Sequence, residues 1–449
     1  MKENKMASMD VKKLILNMSI PIMISMLIQA LYNIVDSMFV ARVSENALAA
    51  VSLCFPVQMM IIAVACGTGV GINALLSRRL GEKNVKEANQ IALHGLFLSI
   101  CSGIVFALFG LFFSRPFLSL FGDDPEILEM GISYMQICTI FSFGVFVQIA
   151  YERFTQATGH AIYNMVMQGA GALINIIFDP IFIFGFFGIP AMGVSGAAIA
   201  TVIGQIIAML IGIWLVDKKV NEIQVKPSQF KINGTLIAQI YRIGIPAIIM
   251  QSIASVMTVS INMILTSFSI LAVSVFNIYY KLQQFVFMAV LGMNNALIPI
   301  ISFNYGARKK QRIKEAISFS LVLSLIIMAA GTLIFQLFPE QLLYLFDAKE
   351  EMLSIGIPAI KTISISFIFA GCSVVFCAIF QALDNAVPSL IITCLRQLIL
   401  VVPITYILAK LFGLEMAWWA FPITEIICCI LSIIFMAKVK RTKIEMIEE

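Results

Sequence analysis

The chain has 449 residues, is 60% hydrophobic and 12% charged, and has a mean hydropathy of +0.97. Soluble domains carry about 25% charged residues, so a soluble globular fold is excluded. The net charge of +5 does not indicate a nucleic-acid partner, because the basic residues gather between apolar runs.

Twelve apolar runs are long enough to cross a bilayer as helices: 14–40, 48–76, 91–113, 130–156, 162–185, 190–216, 236–268, 271–300, 312–336, 352–380, 386–410 and 415–437. Barrel strands are about ten residues of strict alternation, and these runs are longer and more uniformly apolar. The first run is too long for a cleavable signal peptide and lacks a small-residue cleavage site. All nine cysteines fall in apolar runs without a CxxC pair and read as small buried hydrophobes.

Taken in order, segment 1 places Ser25, Gln29, Asn33, Asp36 and Ser37 at steps of three and four, one polar stripe on an apolar helix. Segment 4 carries Tyr134, either an interfacial aromatic or part of a cavity wall, and Glu152 near its cytoplasmic end. Glu152 reads either as a structural partner of Arg153 or a loop, or as part of an inner gate. Segment 5 repeats the striped pattern with Asn164, Gln168, Gly171, Asn175 and Asp179. Segment 6 brings Thr201, and the basic stretch from Lys218 to Lys231 reads as a linker. In the later segments Lys281, Arg396 and Glu425 each lie near the midplane. They read as a base paired with Glu425 or as a polar cavity wall.

Asp36 lies roughly 33 Å along its helix and Asp179 roughly 26 Å, at about 1.5 Å per residue. The two acids therefore reach depths at which they can meet. Two carboxylates in a low-dielectric pocket cannot both be charged and unpaired; the pair holds a proton or a cation. An intramembrane acid costs more than an amide, so Gln29, Asn33 and Gln168 are as well explained as hydrogen-bond links between helices.

Lysine and arginine set the orientation. The stretches Lys2–Lys13, Arg78–Lys86, Lys218–Arg242, Arg308–Lys314 and Lys438–Lys443, with Arg153, fall on one side. Arg42, Arg115, Lys349, Lys361 and Lys410 fall on the other. Both termini are expected in the cytoplasm, in a multi-pass protein of the cell membrane.

The halves match at a constant offset of 225 residues: Ile20-Pro21 on Ile245-Pro246, Gln58 on Gln283, Gly67 on Gly292, Ser77 on Ser302, Gly81 on Gly306, Gly131 on Gly356, Gln156-Ala157 on Gln381-Ala382 and Gly188 on Gly413. Six segments per half give both halves the same orientation, a parallel repeat. The fold class is an all-α polytopic membrane protein of two six-helix bundles. The expected lobes are 1–216 and 236–449, joined by a cytoplasmic linker at 217–235. Asp36 and Asp179 fall on Ile261 and Ile404, so the shared architecture does not require the acids.

The order and spacing of YNIVDSMFVAR, RRLGEKN, ERFTQATGHAIYN, NIIFDPIFIFG, GVSGAAIATVIGQ and NYGARKK resemble the multidrug and toxic compound extrusion (MATE) exporters over nearly the whole chain. First-lobe acids, with no Asp or Glu in 236–268 or 352–380, resemble the branch of DinF- and MepA-like proteins. The resemblance implies an antiporter that exports amphipathic, cationic compounds in exchange for H⁺ or Na⁺. It implies a cation site at Asp36, Asn175, Asp179 and Thr201, with Ala197 at a position that can offer its carbonyl. If Na⁺ is the coupling ion, Asp36 and Asp179 supply the charge. Gln29, Asn33, Gln168, Tyr134, Lys281, Arg396 and Glu425 are candidates for the substrate cavity, and Glu152 for a gate. The chain is expected to work as a monomer in the bilayer, with no cofactor, ATP or nucleic acid. The alternative is a flippase of a lipid-linked or other amphipathic precursor, which would call for a strongly cationic cavity. With only His94 and His160, and no HExxH, GxSxG or Walker loop, an enzyme is not expected and no residue is assigned as catalytic.

Overall fold

The computed structural model describes residues 4–122, 124–346 and 348–447, and these contain no strand. Ten helices are long and apolar enough to cross a membrane, and two bent helix pairs bring the spans to twelve. The first half comprises α1 (Val11–Ala41), α2 (Glu45–Gly81), α3 (Val85–Leu118), the bent pair α4 (Pro125–Ile140) and α5 (Phe143–Ala157), α6 (Ala161–Phe184) and α7 (Val194–Lys219). The second comprises α8 (Gly234–Thr266), α9 (Ile270–Gly306), α10 (Lys310–Leu337), the bent pair α11 (Glu350–Ser364) and α12 (Ser366–Ala382), α13 (Ala386–Phe412) and α14 (Leu414–Ile444).

Local chemistry sets the helix starts. Ser44 accepts a hydrogen bond from the Ala47 amide at the start of α2, and Asn84 accepts one from Glu87 at the start of α3. Asp124 caps α4, where Pro125 occupies a first-turn position that needs no N–H. Gly185 ends α6 in the left-handed region, at φ 79°.

Residues 130–156 and 352–380 read as unbroken spans in the sequence, yet the structure bends them by 43° and 44°. At each bend a hydroxyl bonds back to its own helix. Thr139 Oγ1 donates back to the Met135 carbonyl at 2.7 Å, and Ser364 Oγ donates to the Lys361 carbonyl at 3.0 Å. Hydroxyls bonded to the preceding turn loosen the helix ladder. Thr139 and Ser364 are 225 residues apart, so the bend is duplicated with the chain.

The duplication extends to single contacts. Ser77 Oγ donates to the Ala157 carbonyl at 3.4 Å, and Ser302 Oγ to the Ala382 carbonyl at 2.8 Å. A side chain at Gly131 would meet Leu118, and one at Gly356 would meet Leu343. Lys83 and Arg308 both take positive φ, at 59° and 56°. Gly159 (84°) matches Asp384 (55°), and Gly188 (83°) matches Gly413 (87°).

The chain forms two compact units. One contains Ile20–Ile248 with the short helix Lys5–Ser8; the other contains Met9–Ser19 and the residues from Ile249 onward. In the first, a core of Val40, Cys54, Ile61, Tyr134, Phe146 and Ile183 forms where α1, α2, α4, α5 and α6 pack. The linker lies along α3: Asn89 accepts from the Gln224 amide, His94 Nε2 accepts from the Asn233 amide, and Phe230 packs on His94 and Phe97. In the second unit Phe276, Tyr279, Phe335, Phe367 and Phe421 form one aromatic cluster.

The matched serines make a matched test. Ser302→Ala should cost about 1 kcal/mol, and Ser77→Ala, whose bond is longer, should cost less. Thermal melting of the two variants in detergent should rank them in that order.

Candidate functional site

The site forms where α1, α6 and α7 meet in the first unit. Small residues permit the approach. The ideal Cβ of a residue at 204 would lie 2.7 Å from the Gly171 carbonyl, and one at 171 would lie 3.1 Å from the Gly204 carbonyl. Backbone therefore packs on backbone between α6 and α7, as small residues allow within a membrane. One turn beyond, Asn175 on α6 reaches Thr201 on α7, with Nδ2 donating to Thr201 Oγ1 at 3.3 Å. The same amide donates to Asp179 Oδ1 at 3.2 Å.

Asp36 on α1 faces this group, with its carboxyl group close enough to that of Asp179 for the two to interact electrostatically. The two polar stripes also meet further along, where Asn164 Nδ2 donates to Ser25 Oγ at 3.3 Å. Asp179 is fully buried and Asn175 nearly so. Three oxygens at the centre, Asp36 Oδ1, Asp179 Oδ2 and Asn175 Oδ1, are buried without any hydrogen-bond donor. A cluster with more acceptors than donors suits a proton or a hard cation bound through oxygen.

Ala197 is fully buried on α7, one turn before Thr201. Gln168 lies two turns before Asn175 and donates to Glu152 Oε1 at 2.8 Å. Gln148 donates to the same oxygen at 3.0 Å. Arg153, beside Glu152, donates through Nη1 to Gln156 at 2.8 Å. Gln29 is half-buried and Asn33 exposed. Tyr134 is buried in the core, with its hydroxyl accepting from Gln58 Nε2 at 2.9 Å. Sequence reasoning passed over Tyr32 and Gln205. Together with Gln148, Gln168, Asn175 and Thr201 they line a cavity of about 30 Å³. Tyr32 sits one turn before Asp36 on the same stripe, and that spacing could have found it.

The second unit holds a different arrangement. Arg396 Nε pairs with Glu425 Oε1 at 2.7 Å, with both side chains mostly buried, and the guanidinium lies 6.0 Å from the Phe287 ring centroid. Arg396 sits on the π-turn Leu395–Ile399 inside α13, an irregularity frequent at functional positions. Lys281 is exposed on α9 and stands apart from this pair. Ile261, which replaces Asp36 in the repeat, is fully buried.

The family model MatE matches the chain twice, over residues 21–181 and 246–407. The two matches begin 225 residues apart. The chain belongs to the MatE family. As a family member it is a multi-pass membrane transporter and not an enzyme. It is similar to the multidrug export protein MepA of Staphylococcus haemolyticus, 26% identical over 421 residues, covering 94% of this chain and 92% of the relative. MepA of Staphylococcus aureus strain MSSA476 is 25% identical over 423 residues, with the same coverage of each chain. Among solved structures, an outward-facing multidrug resistance MATE transporter of the MOP superfamily aligns with a TM-score of 0.91 at 27% identity, covering 98% of this chain and 99% of its own. A MOP superfamily transporter from Pyrococcus furiosus, described as having a binding pocket of reverse polarity, aligns at 0.90 and 27%, covering 100% and 99%.

Two outcomes follow from this packing. Gly204→Ala should destabilise the protein by about 1–3 kcal/mol through overpacking. Gly169→Ala, whose new methyl meets only Ile28 Cδ1 at 3.9 Å, should be neutral or gain up to about 1 kcal/mol; paired melting curves separate the two. Glu425→Gln should cost about 3–5 kcal/mol by stranding Arg396, and the double change Arg396→Met with Glu425→Leu should recover most of that loss in the same assay.

Proposed function

We propose that the protein is a secondary antiporter that exports amphipathic, cationic compounds across the cell membrane, driven by H⁺ or Na⁺ at Asp36 and Asp179. The observation that carries this reading is the trio of buried oxygens without donors, held on one unit only. Their repeat counterparts are isoleucines at 261 and 404 and a leucine at 400, so the shared fold does not need these groups.

A cation arriving from outside binds between Asp36 and Asp179. It relieves the repulsion of two nearby carboxylates and ties α1 to α6. Coupling follows if the cation and the exported compound favour different states, because a ligand shifts an equilibrium only by its differential affinity. Thr201 and Asn175 complete the oxygen set, and Ala197 can add its carbonyl. The lobes are 1–216 and 236–449, with the linker at 217–235 and both termini in the cytoplasm. Aromatic faces and thioethers from the chain's 35 Phe and 25 Met suit amphipathic, cationic compounds. The names of the MepA relatives support multidrug export. The flippase reading calls for a strongly cationic cavity, whereas Arg396 is neutralised by Glu425.

The test is transport of a cationic dye by the purified protein in proteoliposomes, with pH and Na⁺ gradients imposed separately. Wild type should export against the dye gradient under at least one of them. Asp36→Asn and Asp179→Asn should each lose at least about tenfold in rate, the scale of one decisive electrostatic contact. Export by Asp36→Asn at the wild-type rate would refute the assignment.

A further inference from the structure

Glu152 is unexplained by the site above. It is a carboxylate on α5, 5% exposed, and it forms no ion pair among the described residues. Its neighbour Arg153 is turned toward Gln156 and lies against Gly69 of α2, where a methyl group would be 2.9 Å from Arg153 Cγ. What holds Glu152 is two amides, Gln148 on its own helix and Gln168 on α6, both donating to Oε1. A glutamine could supply the same link between helices at lower cost in hydrocarbon. The duplicated half has Cys377 at this position, so the shared fold does not need an acid here.

The two amides that hold Glu152 also line the cavity of about 30 Å³, together with Asn175 and Thr201 of the cation site. A cavity needs about 10–15 Å³ to hold a water, so one or two waters fit. Gln168 precedes Asn175 by seven residues, about 10 Å along the helix, a gap that one or two waters and a hydroxyl can bridge. Tyr32 also lines the cavity, within electrostatic reach of Asp36, Asp179 and Glu152.

We propose that Glu152 is the cytoplasmic-side proton station of the transport cycle, receiving the proton that leaves Asp36 and Asp179 through this cavity. This deepens the antiport reading and rests on it, and it commits the coupling ion to H⁺. The surroundings of Glu152 favour a proton over a metal ion. Its Oε1 is already occupied by amide donors, whereas a hard cation demands several converging oxygens. The step balances simply. A carboxyl proton of the aspartate pair passes to a cavity water as that water gives one to the Glu152 carboxylate. The pair is left charged and Glu152 neutral until it releases the proton inward. The charged and titratable groups around Glu152 are Arg153 on α5, Cys66 on α2 and Tyr32 on α1. On α6 the amide Gln168 faces it, and the nearest acid of α7, Asp217, interacts with Tyr151.

The experiment uses the full-length protein in proteoliposomes with ethidium as the transported probe. Three measurements are compared for wild type, Glu152→Gln and Glu152→Asp: export driven by a pH gradient, ethidium–ethidium counterflow without any gradient, and ethidium affinity. Glu152→Gln should lose about a hundredfold or more in pH-driven export, the lower end of what a positioned proton-transfer group contributes. Its counterflow and affinity should stay at wild-type values, and Glu152→Asp should restore part of the driven rate. Gln148→Leu, which takes one amide from Glu152 and keeps the acid, should repeat the pattern and decides the matter if Glu152→Gln does not fold. The proposal falls if Glu152→Gln exports at the wild-type rate, if counterflow and affinity fall in parallel with export, or if Na⁺ alone drives transport at constant pH. Asp36→Asn serves as the control. If it also exports normally the antiport site is wrong, whereas if it is inactive beside a normal Glu152→Gln only the relay is wrong.

Discussion

A bilayer offers no hydrogen bonds, so each polar group carried into it must find its partner within the protein. Most of this structure follows from that constraint. Hydroxyls along the spans donate back to carbonyls one turn earlier, as Ser25, Ser99, Ser114, Thr405 and Ser432 do. Gln58 finds Tyr134, Asn294 finds the Val374 carbonyl, and Arg396 finds Glu425. Where the pairing is complete the helices are merely held together. Where acceptors outnumber donors, around Asp36, Asp179 and Asn175, the protein keeps a place that something from outside must fill. The first unit gathers two carboxylates and an amide with three unmatched oxygens, whereas the second sets its buried acid, Glu425, against Arg396.

Much of this was legible in the sequence, for physical reasons that differ from feature to feature. Span length and hydropathy are set by bilayer thickness, so the twelve apolar runs correspond closely to the observed spans. The steps of three and four in segments 1 and 5 identify faces, and those faces do meet, at Ser25 with Asn164 and at Asp36 with Asp179. The pairing of a midplane base with Glu425 was readable as one of two options, but only geometry selects Arg396 over Lys281. The bends were not legible. A threonine or serine in an apolar run can bond back to its own helix or reach a neighbour, and the choice at Thr139 and Ser364 depends on the packing around them. Gln205 was missed because amide side chains occur widely in membrane helices and nothing local separates those that line a cavity, whereas the stripe through Asp36 also runs through Tyr32.

The duplication makes the chain its own control. Positions 225 apart share backbone bends, helix ends and buried serine contacts, so these belong to the architecture. The positions that differ belong to what one copy does alone. On that comparison Asp36, Asp179, Asn175 and Glu152 stand against Ile261, Ile404, Leu400 and Cys377. Arg396 and Glu425 stand against Gly171 and Ala200, and Gly171 is where α6 closes on α7. The same position serves close packing in one unit and carries a buried cation in the other.

The left-handed turns add a different kind of information. Glycine suits such a backbone, and other residues occupy it at a cost of roughly 1–2 kcal/mol. Yet Asp384 holds the conformation that Gly159 holds in the other half, and Lys83 and Arg308 both hold one without a glycine in either copy. The turn does not require the residue that fits it most easily. Backbone shape in this protein is therefore an inherited quantity, imposed by the ends of the flanking helices, and the side chains at those corners have been free to change while bearing its strain.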